Sequence, residues 1–155
     1  MHPHAELIER FYRCFQARDG AGMAACYAPD VTFSDPVFPR LEGEKAGAMW
    51  RMLCGRAADL EIQFSDVQAD DTRGSARWVA HYTFTKTGRR VENRITASFE
   101  LRNGAIVRHE DRFDFWRWSR QALGPAGLLL GWSPMLQRKV QAEAAHNLER
   151  FLSKQ

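Results

Sequence analysis

The apolar positions along the chain change their period once, near residue 60. Before that point they recur at helical spacing. Leu7, Ile8, Phe11, Tyr12 and Phe15 share one face, which predicts a helix from about Pro3 to Arg18, ended by Asp19-Gly20. A short helix carrying Met23, Ala24 and Tyr27 follows, and Pro29-Asp30 stops it. Val31 to Asp35 then alternate like a strand, which Pro36 and Pro39 break. A third helix is predicted from Glu44 to Ala58, burying Ala48, Met49, Met52 and Leu53.

Beyond residue 60 the pattern has period two. Leu60, Ile62 and Phe64 share a face, and the phase slips to Val67 and Ala69, which predicts a β-bulge near Ser65-Asp66. Trp78, Ala80, Tyr82 and Phe84 form the next apolar face. A turn at Thr87-Gly88 leads to Val91, Asn93, Ile95, Ala97, Phe99 and Leu101. Asn103-Gly104 is a strong hairpin signal. The last strand places Val107, His109, Asp111, Phe113 and Phe115 on one side. From Ser119 the chain is helical again. Ser133-Pro134 makes a good helix start, and Leu136, Val140, Ala144 and Leu148 form a stripe at four-residue steps. Helices followed by a long antiparallel meander define an α+β class, with helices packed on one side of a curved sheet.

The length of 155 residues fits a single domain, taken as residues 1–155, with a core of about 5–116 and a helical extension over 119–155. Ten Phe, five Trp and three Tyr supply a sizeable core and argue against intrinsic disorder. The net charge of +3 is a weak basic bias, and the charges alternate in sign rather than cluster, so no nucleic-acid partner is expected. No apolar run reaches the length of a membrane helix, and Met1 to Arg10 lacks the apolar centre of a signal peptide, so no membrane partner is expected. Three cysteines without a Cys-x-x-Cys pair fit reduced thiols in a cytoplasmic protein.

Four polar residues break the apolar faces. Asp35 follows Val31 and Phe33; Asn93 sits between Val91 and Ile95; His109 and Asp111 sit between Val107 and Phe113. A polar group on a core face must be paired or must line a cavity. Four such exceptions on three strands point to one polar floor within an apolar pocket, the usual build of a small-molecule site. Carboxylates there are raised in pKa by desolvation, which suits acid/base chemistry. The plainer reading is that Asp111 and His109 satisfy each other as structural polar core, or that a bulge turns one outward. His-x-Asp without a further histidine is a weak metal signal, and the chain holds no phosphate loop, dinucleotide fingerprint or nucleophile elbow.

Several segments carry a family resemblance. They are Ile8-Glu9-Arg10-Phe11-Tyr12 through Arg18-Asp19-Gly20, Tyr27-Ala28-Pro29-Asp30-Val31, Phe33-Ser34-Asp35-Pro36, Asn103-Gly104-Ala105-Ile106 and His109-Glu110-Asp111-Arg112-Phe113-Asp114. With them the chain resembles the nuclear transport factor 2-like superfamily, close to its SnoaL-like and ketosteroid isomerase-like branches. The resemblance implies a cone-shaped fold, with a curved antiparallel sheet wrapped around N-terminal helices, a deep hydrophobic pocket, and a homodimer. It puts Asp35 at the proton-shuttling base of ketosteroid isomerases. The oxyanion-hole Tyr and Asp of those enzymes fall at Phe11, one step from Tyr12, and at Ala97, so the donors that would hold a dienolate are missing. Limonene epoxide hydrolase offers a second likeness, in which Asp111 matches a final-strand Asp, Asp35 falls where that enzyme has an Asn, and its Arg and second Asp fall near Trp78 and Ala80. SnoaL-type cyclases use a His/Asp pair that His109 and Asp111 echo.

These readings give a definite expectation. Asp35, His109 and Asp111 are the candidate catalytic residues; Asn93, Phe33, Trp50, Trp78, Tyr82 and Phe113 are the candidate ligand contacts. The ligand is a small apolar molecule. No cofactor and no metal are expected, and the chemistry is acid/base: isomerisation, cyclisation, dehydration or epoxide opening. The alternative is a non-enzymatic ligand-binding or dimerisation module. A third reading has Trp50 and Trp78 closing the pocket altogether. Leu128 to Leu130 and Trp132 either cap the pocket mouth or reach a neighbouring subunit. A homodimer is expected through the outer sheet face around residues 77 to 83.

Overall fold

The computed structural model describes residues 1–56 and 58–155. The first helix, α1, spans Pro3–Gln16, with the His2 side chain accepting the His4 N–H at its start and Pro3 in the first turn. It buries Leu7, Ile8, Phe11, Tyr12 and Phe15, the face that the spacing predicts. A six-residue helix, α2, spans Gly20–Ala25 and is capped by Asp19, whose carboxylate accepts the Gly22 N–H. The third helix, α3, runs Glu44–Arg56; the predicted end at Ala58 lies across residue 57, outside the described residues, and Ala58 itself is in a turn.

Six strands follow the predicted order with one addition. They are β1 (Tyr27–Ser34), β2 (Leu41–Glu42), β3 (Glu61–Ala69), β4 (Arg73–Phe84), β5 (Arg89–Arg102) and β6 (Ala105–Arg112), and they form one sheet ordered β2-β1-β6-β5-β4-β3. The sheet is mixed rather than purely antiparallel, because β1 pairs with β6 in parallel. Strand β1 is separated from β6 by β2, α3 and the strands β3 to β5, and it reaches the free edge of β6 running the same way. Tyr27 therefore belongs to β1 and not to the short helix, and Pro29 lies inside the strand at a point where the β1–β6 register shifts. That irregularity tolerates a residue with no N–H to donate.

Two further shifts set the inward face. The bulge predicted at Ser65-Asp66 is present: the β3–β4 register slips between Ser65 and Gln68, and Asp66 has a φ of 56°. A second bulge lies between β5 and β6. Glu100 pairs with Arg108 while Leu101 pairs with Ile106, so Val107 has no place in the ladder. Ile106 rather than Val107 thus turns fully inward, and His109 and Asp111 resume the inward phase opposite Phe99 and Ala97. The hairpin at Asn103-Gly104 has positive φ at both residues, 52° and 76°, as a two-residue primed turn requires.

Helices α1 and α3 pack on the inner face of this sheet around one apolar core. Gly74 on β4 leaves room for the tip of the Ile8 side chain of α1, since a Cβ there would lie 2.5 Å from Ile8 Cδ1. The tail forms α4 (Phe115–Leu123), α5 (Pro125–Leu130) and α6 (Pro134–Ser153). Phe115 opens α4 behind the Asp114 cap rather than extending the last strand. Val91, Phe115, Trp118 and Ala122 make a second, smaller core under α4. The predicted start of α6 holds, with the Ser133 hydroxyl accepting the Met135 N–H. Its stripe of Leu136, Val140, Ala144 and Leu148 faces the protein. Gln137 and Gln141 each donate to the Pro36 carbonyl at 3.0 Å, which lays α6 over the turn that follows β1.

Candidate functional site

A cavity of about 400 Å³ lies between the inner face of the sheet, α3 and the tail helices. Its walls include Phe15, Met49, Trp50, Leu53, Trp78, Ala80, Tyr82, Ile95, Phe113, Trp118 and Val140. Three of the four polar exceptions line it: Asp35, Asn93 and Asp111. They come from the segment just past β1, the middle of β5 and the end of β6. The fourth, His109, stands one layer behind with no exposed surface. Phe33 is also behind the wall, packed edge-on to Trp50 and His109 at centroid distances of 5.5 and 5.0 Å. Trp50, Trp78, Tyr82 and Phe113 reach the cavity as wall residues. Trp50 and Trp78 meet at 6.2 Å and leave the space beside them open, so they do not close the pocket.

A chain of hydrogen bonds runs behind the wall. The Trp50 indole Nε1–H donates to the Tyr27 hydroxyl at 2.7 Å. Tyr27 Oη and His109 Nδ1 are 2.8 Å apart, and His109 Nε2 and Asp111 Oδ1 are 2.8 Å apart. An indole only donates, so Tyr27 spends a lone pair on Trp50 and its own proton is left for His109. That donor count assigns the His109 proton to Nε2, which donates to Asp111. The opposite tautomer would leave the Tyr27 hydroxyl proton without an acceptor. The direction of the whole chain is therefore set by Trp50, and it ends on the Asp111 carboxyl. The Trp78 Nε1–H adds a long contact to the same oxygen at 3.4 Å.

Aromatic packing fixes the imidazole. His109 stacks on Phe99 at 4.4 Å and lies parallel to Trp50 at 6.1 Å, with Phe11 and Phe33 edge-on. The ring has no room to turn, so its two hydrogen bonds are held in register. Asp111 is 3 % exposed and is the carboxyl end of the chain at the cavity, where Trp50, at the other end, is also a wall residue.

Asp35 is held differently. Its N–H donates to the Phe38 carbonyl at 2.9 Å, and its Oδ1 accepts the N–H groups of Val37 and Phe38 at 2.7 and 2.6 Å. The Asp-Pro turn thus closes on itself, and neither side-chain bond uses Oδ2. Burial pushes the Asp35 carboxyl up to about 7; the charge of Asp111 adds to that push, while the N–H groups of Phe38 and Val37 oppose it. Two carboxyls on one cavity thus sit in unlike surroundings, one fed by an imidazole and one by backbone amides.

Sequence reasoning missed three parts of this arrangement. The helical spacing predicts Tyr27 on the short helix, whereas Tyr27, Val31 and Phe33 share the odd positions of one strand; Pro29 between them hides the signal. Trp118 on α4 donates to the Tyr82 hydroxyl at 2.7 Å, and both line the cavity. Residues from α6, among them Glu143, Ala144 and Asn147, complete the wall, and Lys86 in the β4–β5 turn pairs with Glu143 across it. Nothing in the local pattern of a surface helix announces that role. Tyr12 is a fourth case of a different kind. Its hydroxyl is fully buried and finds no partner among the described residues, and burial raises it well above the ordinary phenol range. It stacks on Phe64 at 5.4 Å, whereas Phe11 faces His109. Among the described residues no group of three His, Cys, Asp or Glu side chains is placed to hold a metal ion.

The chain belongs to the SnoaL-like domain family, whose model matches residues 8–109. The matched stretch runs from the middle of α1 to His109, and so includes Tyr27, Asp35, Trp50, Trp78 and Asn93 but ends before Asp111 and the tail helices. The structure is similar to that of a putative polyketide cyclase from Xanthomonas campestris pv. campestris, with a TM-score of 0.64 and 26% identity, covering 77% of this chain and 96% of that one. It is similar in fold to a Mycobacterium tuberculosis epoxide hydrolase described as LEH-like, with a TM-score of 0.64 and 20% identity over 86% of this chain and 95% of that one. A ketosteroid isomerase-like protein from Catenulispora acidiphila, solved in complex with trimethylamine, gives a TM-score of 0.68 at 11% identity over 78% and 95% of the two chains. No match is found among functionally curated proteins. The fold and family expectations hold.

Proposed function

We propose that the cavity binds a small, largely apolar molecule and carries out proton transfer on it without a cofactor. The observation that supports this reading best is the placement of Asp35, just past β1, and Asp111, on β6, on one apolar cavity. In the reading, Asp111 is the base. His109, oriented by Tyr27 and ultimately by Trp50, is a positioning residue that steadies Asp111 as it takes the proton. Asp35, with its carboxyl pushed up to about 7, is the acid that returns a proton to the other end of the substrate. Asn93 donates to a carbonyl or hydroxyl oxygen, and Phe113, Trp50, Trp78 and Tyr82 hold the apolar body. Proton removal at one end and delivery at the other describes isomerisation, cyclisation, dehydration and epoxide opening alike.

The binding half is tested by titrating the chain with an uncharged aromatic probe such as N-phenyl-1-naphthylamine. Ala80 lines the cavity, so Ala80→Phe fills it. One saturable site that disappears in Ala80→Phe with unchanged circular dichroism is expected; binding that ignores the substitution sinks the reading. The catalytic half is tested with substrates of the four reaction classes. Turnover that falls at least a hundredfold in Asp35→Asn and Asp111→Asn while probe binding persists is the expected result. Equal product formation in both variants would leave the non-enzymatic binding module as the better account. The same reading takes the protein to be cytoplasmic and homodimeric through the outer sheet face around residues 77 to 83 of β4. Light scattering that gives only monomer at micromolar concentration would remove the dimer.

A further inference from the structure

The tail carries an apolar cluster that the fold leaves uncovered. Leu129, Trp132 and Met135 are 69 %, 74 % and 73 % exposed, and Leu128 and Leu130 are half exposed. Side chains of this kind gathered on one segment mark an interaction surface. The cluster is also tied to its own backbone by hydrogen bonds. The Trp132 Nε1–H donates to the Leu129 carbonyl at 2.8 Å, and the Trp116 Nε1–H donates to the Leu128 carbonyl at 3.2 Å. Both indoles thus satisfy their one polar group on α5 and turn their rings elsewhere. Gly127 lets α5 press against α4, because a Cβ there would lie 1.8 Å from the Ser119 carbonyl oxygen.

The charge around the cluster is one-sided. From residue 115 to 142 the chain has no Asp or Glu, and it carries Arg117, Arg120, Arg138 and Lys139. That stretch sums to +4 in sequence, against −1 for the remainder; Arg117 pairs with Glu92 at 3.6 Å and Arg120 lies over the Trp116 ring at 4.2 Å, so Arg138 and Lys139 are the cations that matter at the apex. Arg138 and Lys139 are exposed, one turn into α6 and directly after the apolar apex. A second copy of this chain, docked patch to patch, would bring two Arg138-Lys139 pairs together, like charge against like. An anionic, apolar surface satisfies both features. Among the described residues no helix is long and apolar enough to cross a membrane; the contact argued for is with a surface.

We infer that the α5 apex, with Leu129, Trp132 and Met135 inserted and Arg138 and Lys139 at the rim, docks on the surface of an anionic lipid bilayer. Leucines and a tryptophan at the level of the headgroups, with cations beside them, form the usual two-part interfacial anchor. The docked helices α4 and α6 also carry cavity-wall residues, Trp118 and Val140 among them. An apolar ligand dissolved in the bilayer would then be close to the cavity. The docking itself does not depend on the proposed chemistry.

The test is co-sedimentation of the full chain with vesicles of phosphatidylcholine alone or with about one third phosphatidylglycerol. Binding to the mixed vesicles, with a blue shift of tryptophan emission and weakening by salt, is expected. Leu129→Glu with Trp132→Glu should lower the partition coefficient more than tenfold. Arg138→Gln and Lys139→Gln should each lower it about fivefold, the effect of one surface cation. These positions are exposed, so folding is unaffected. Failure to sediment with either vesicle, or equal sedimentation by all variants, overturns the inference. So does a Trp132-dependent dimer in sedimentation velocity that leaves vesicles unbound; the patch would then belong to a second copy.

Discussion

Tyr27 and His109 lie on adjacent parallel strands, and their side chains meet at 2.8 Å with no exposed surface on the imidazole. The contact joins β1 to the one strand that carries both members of the His-x-Asp pair. It also passes the donor direction of Trp50 to Asp111. Tyr27→Phe leaves both the Trp50 N–H and His109 Nδ1 without a partner inside the core. Two unsatisfied buried groups should cost about 2–4 kcal/mol in chemical denaturation. A cost below about 0.5 kcal/mol would show that the hydroxyl does not organise the core as described.

Asp35 makes stability depend on pH in an unusual direction. Its folded carboxyl is raised from 3.8 to about 7, so the folded chain holds a proton that the unfolded chain has released. Between those values stability falls as pH rises, and above about 7 the whole penalty is in place. Asp35→Asn keeps an oxygen to accept the Val37 and Phe38 N–H groups and removes the charge. It should stabilise the protein by about 2 kcal/mol at pH 8, roughly half the linkage maximum because the carboxyl keeps some water, and change little near pH 3.5. Denaturation midpoints across that range check the sign.

The Tyr12 hydroxyl is buried without a partner among the described residues. Tyr12→Phe removes a desolvated group and keeps the ring that stacks on Phe64. Stability should rise by about 1 kcal/mol. A loss of more than about 1 kcal/mol would mean that the hydroxyl is satisfied in solution, for instance by a bound water.

Much of the site was legible because alternation in a half-buried strand leaves no neutral place for Asp, Asn or His. Asn93 and Asp111 were found that way, and both line the cavity. Asp35 was found with them, although it sits just past the strand, in a turn. His109 broke the same pattern for another reason: it is core, satisfied on both nitrogens, and acts through its neighbour. Period alone does not separate a wall residue from one a layer deeper, and Phe33 shows the same ambiguity. The β5–β6 bulge exchanged Val107 for Ile106 without changing the composition of the face, so nothing in the pattern marked it. Parallel pairing of β1 with β6 depends on contacts across almost eighty residues, which local periodicity does not carry. The wall from α6 was hidden because that helix is amphipathic whatever its stripe meets.

The most direct test of a polar floor inside a ligand cavity is the ¹³C chemical shift of the Asp35 carboxyl followed through a pH titration, with and without saturating N-phenyl-1-naphthylamine. A midpoint near 7 that climbs when the probe displaces water beside the carboxyl is the predicted result. A midpoint near 4 that the probe leaves unmoved would contradict it, since Asp35 would then face bulk solvent and the two carboxyls would share no enclosed space.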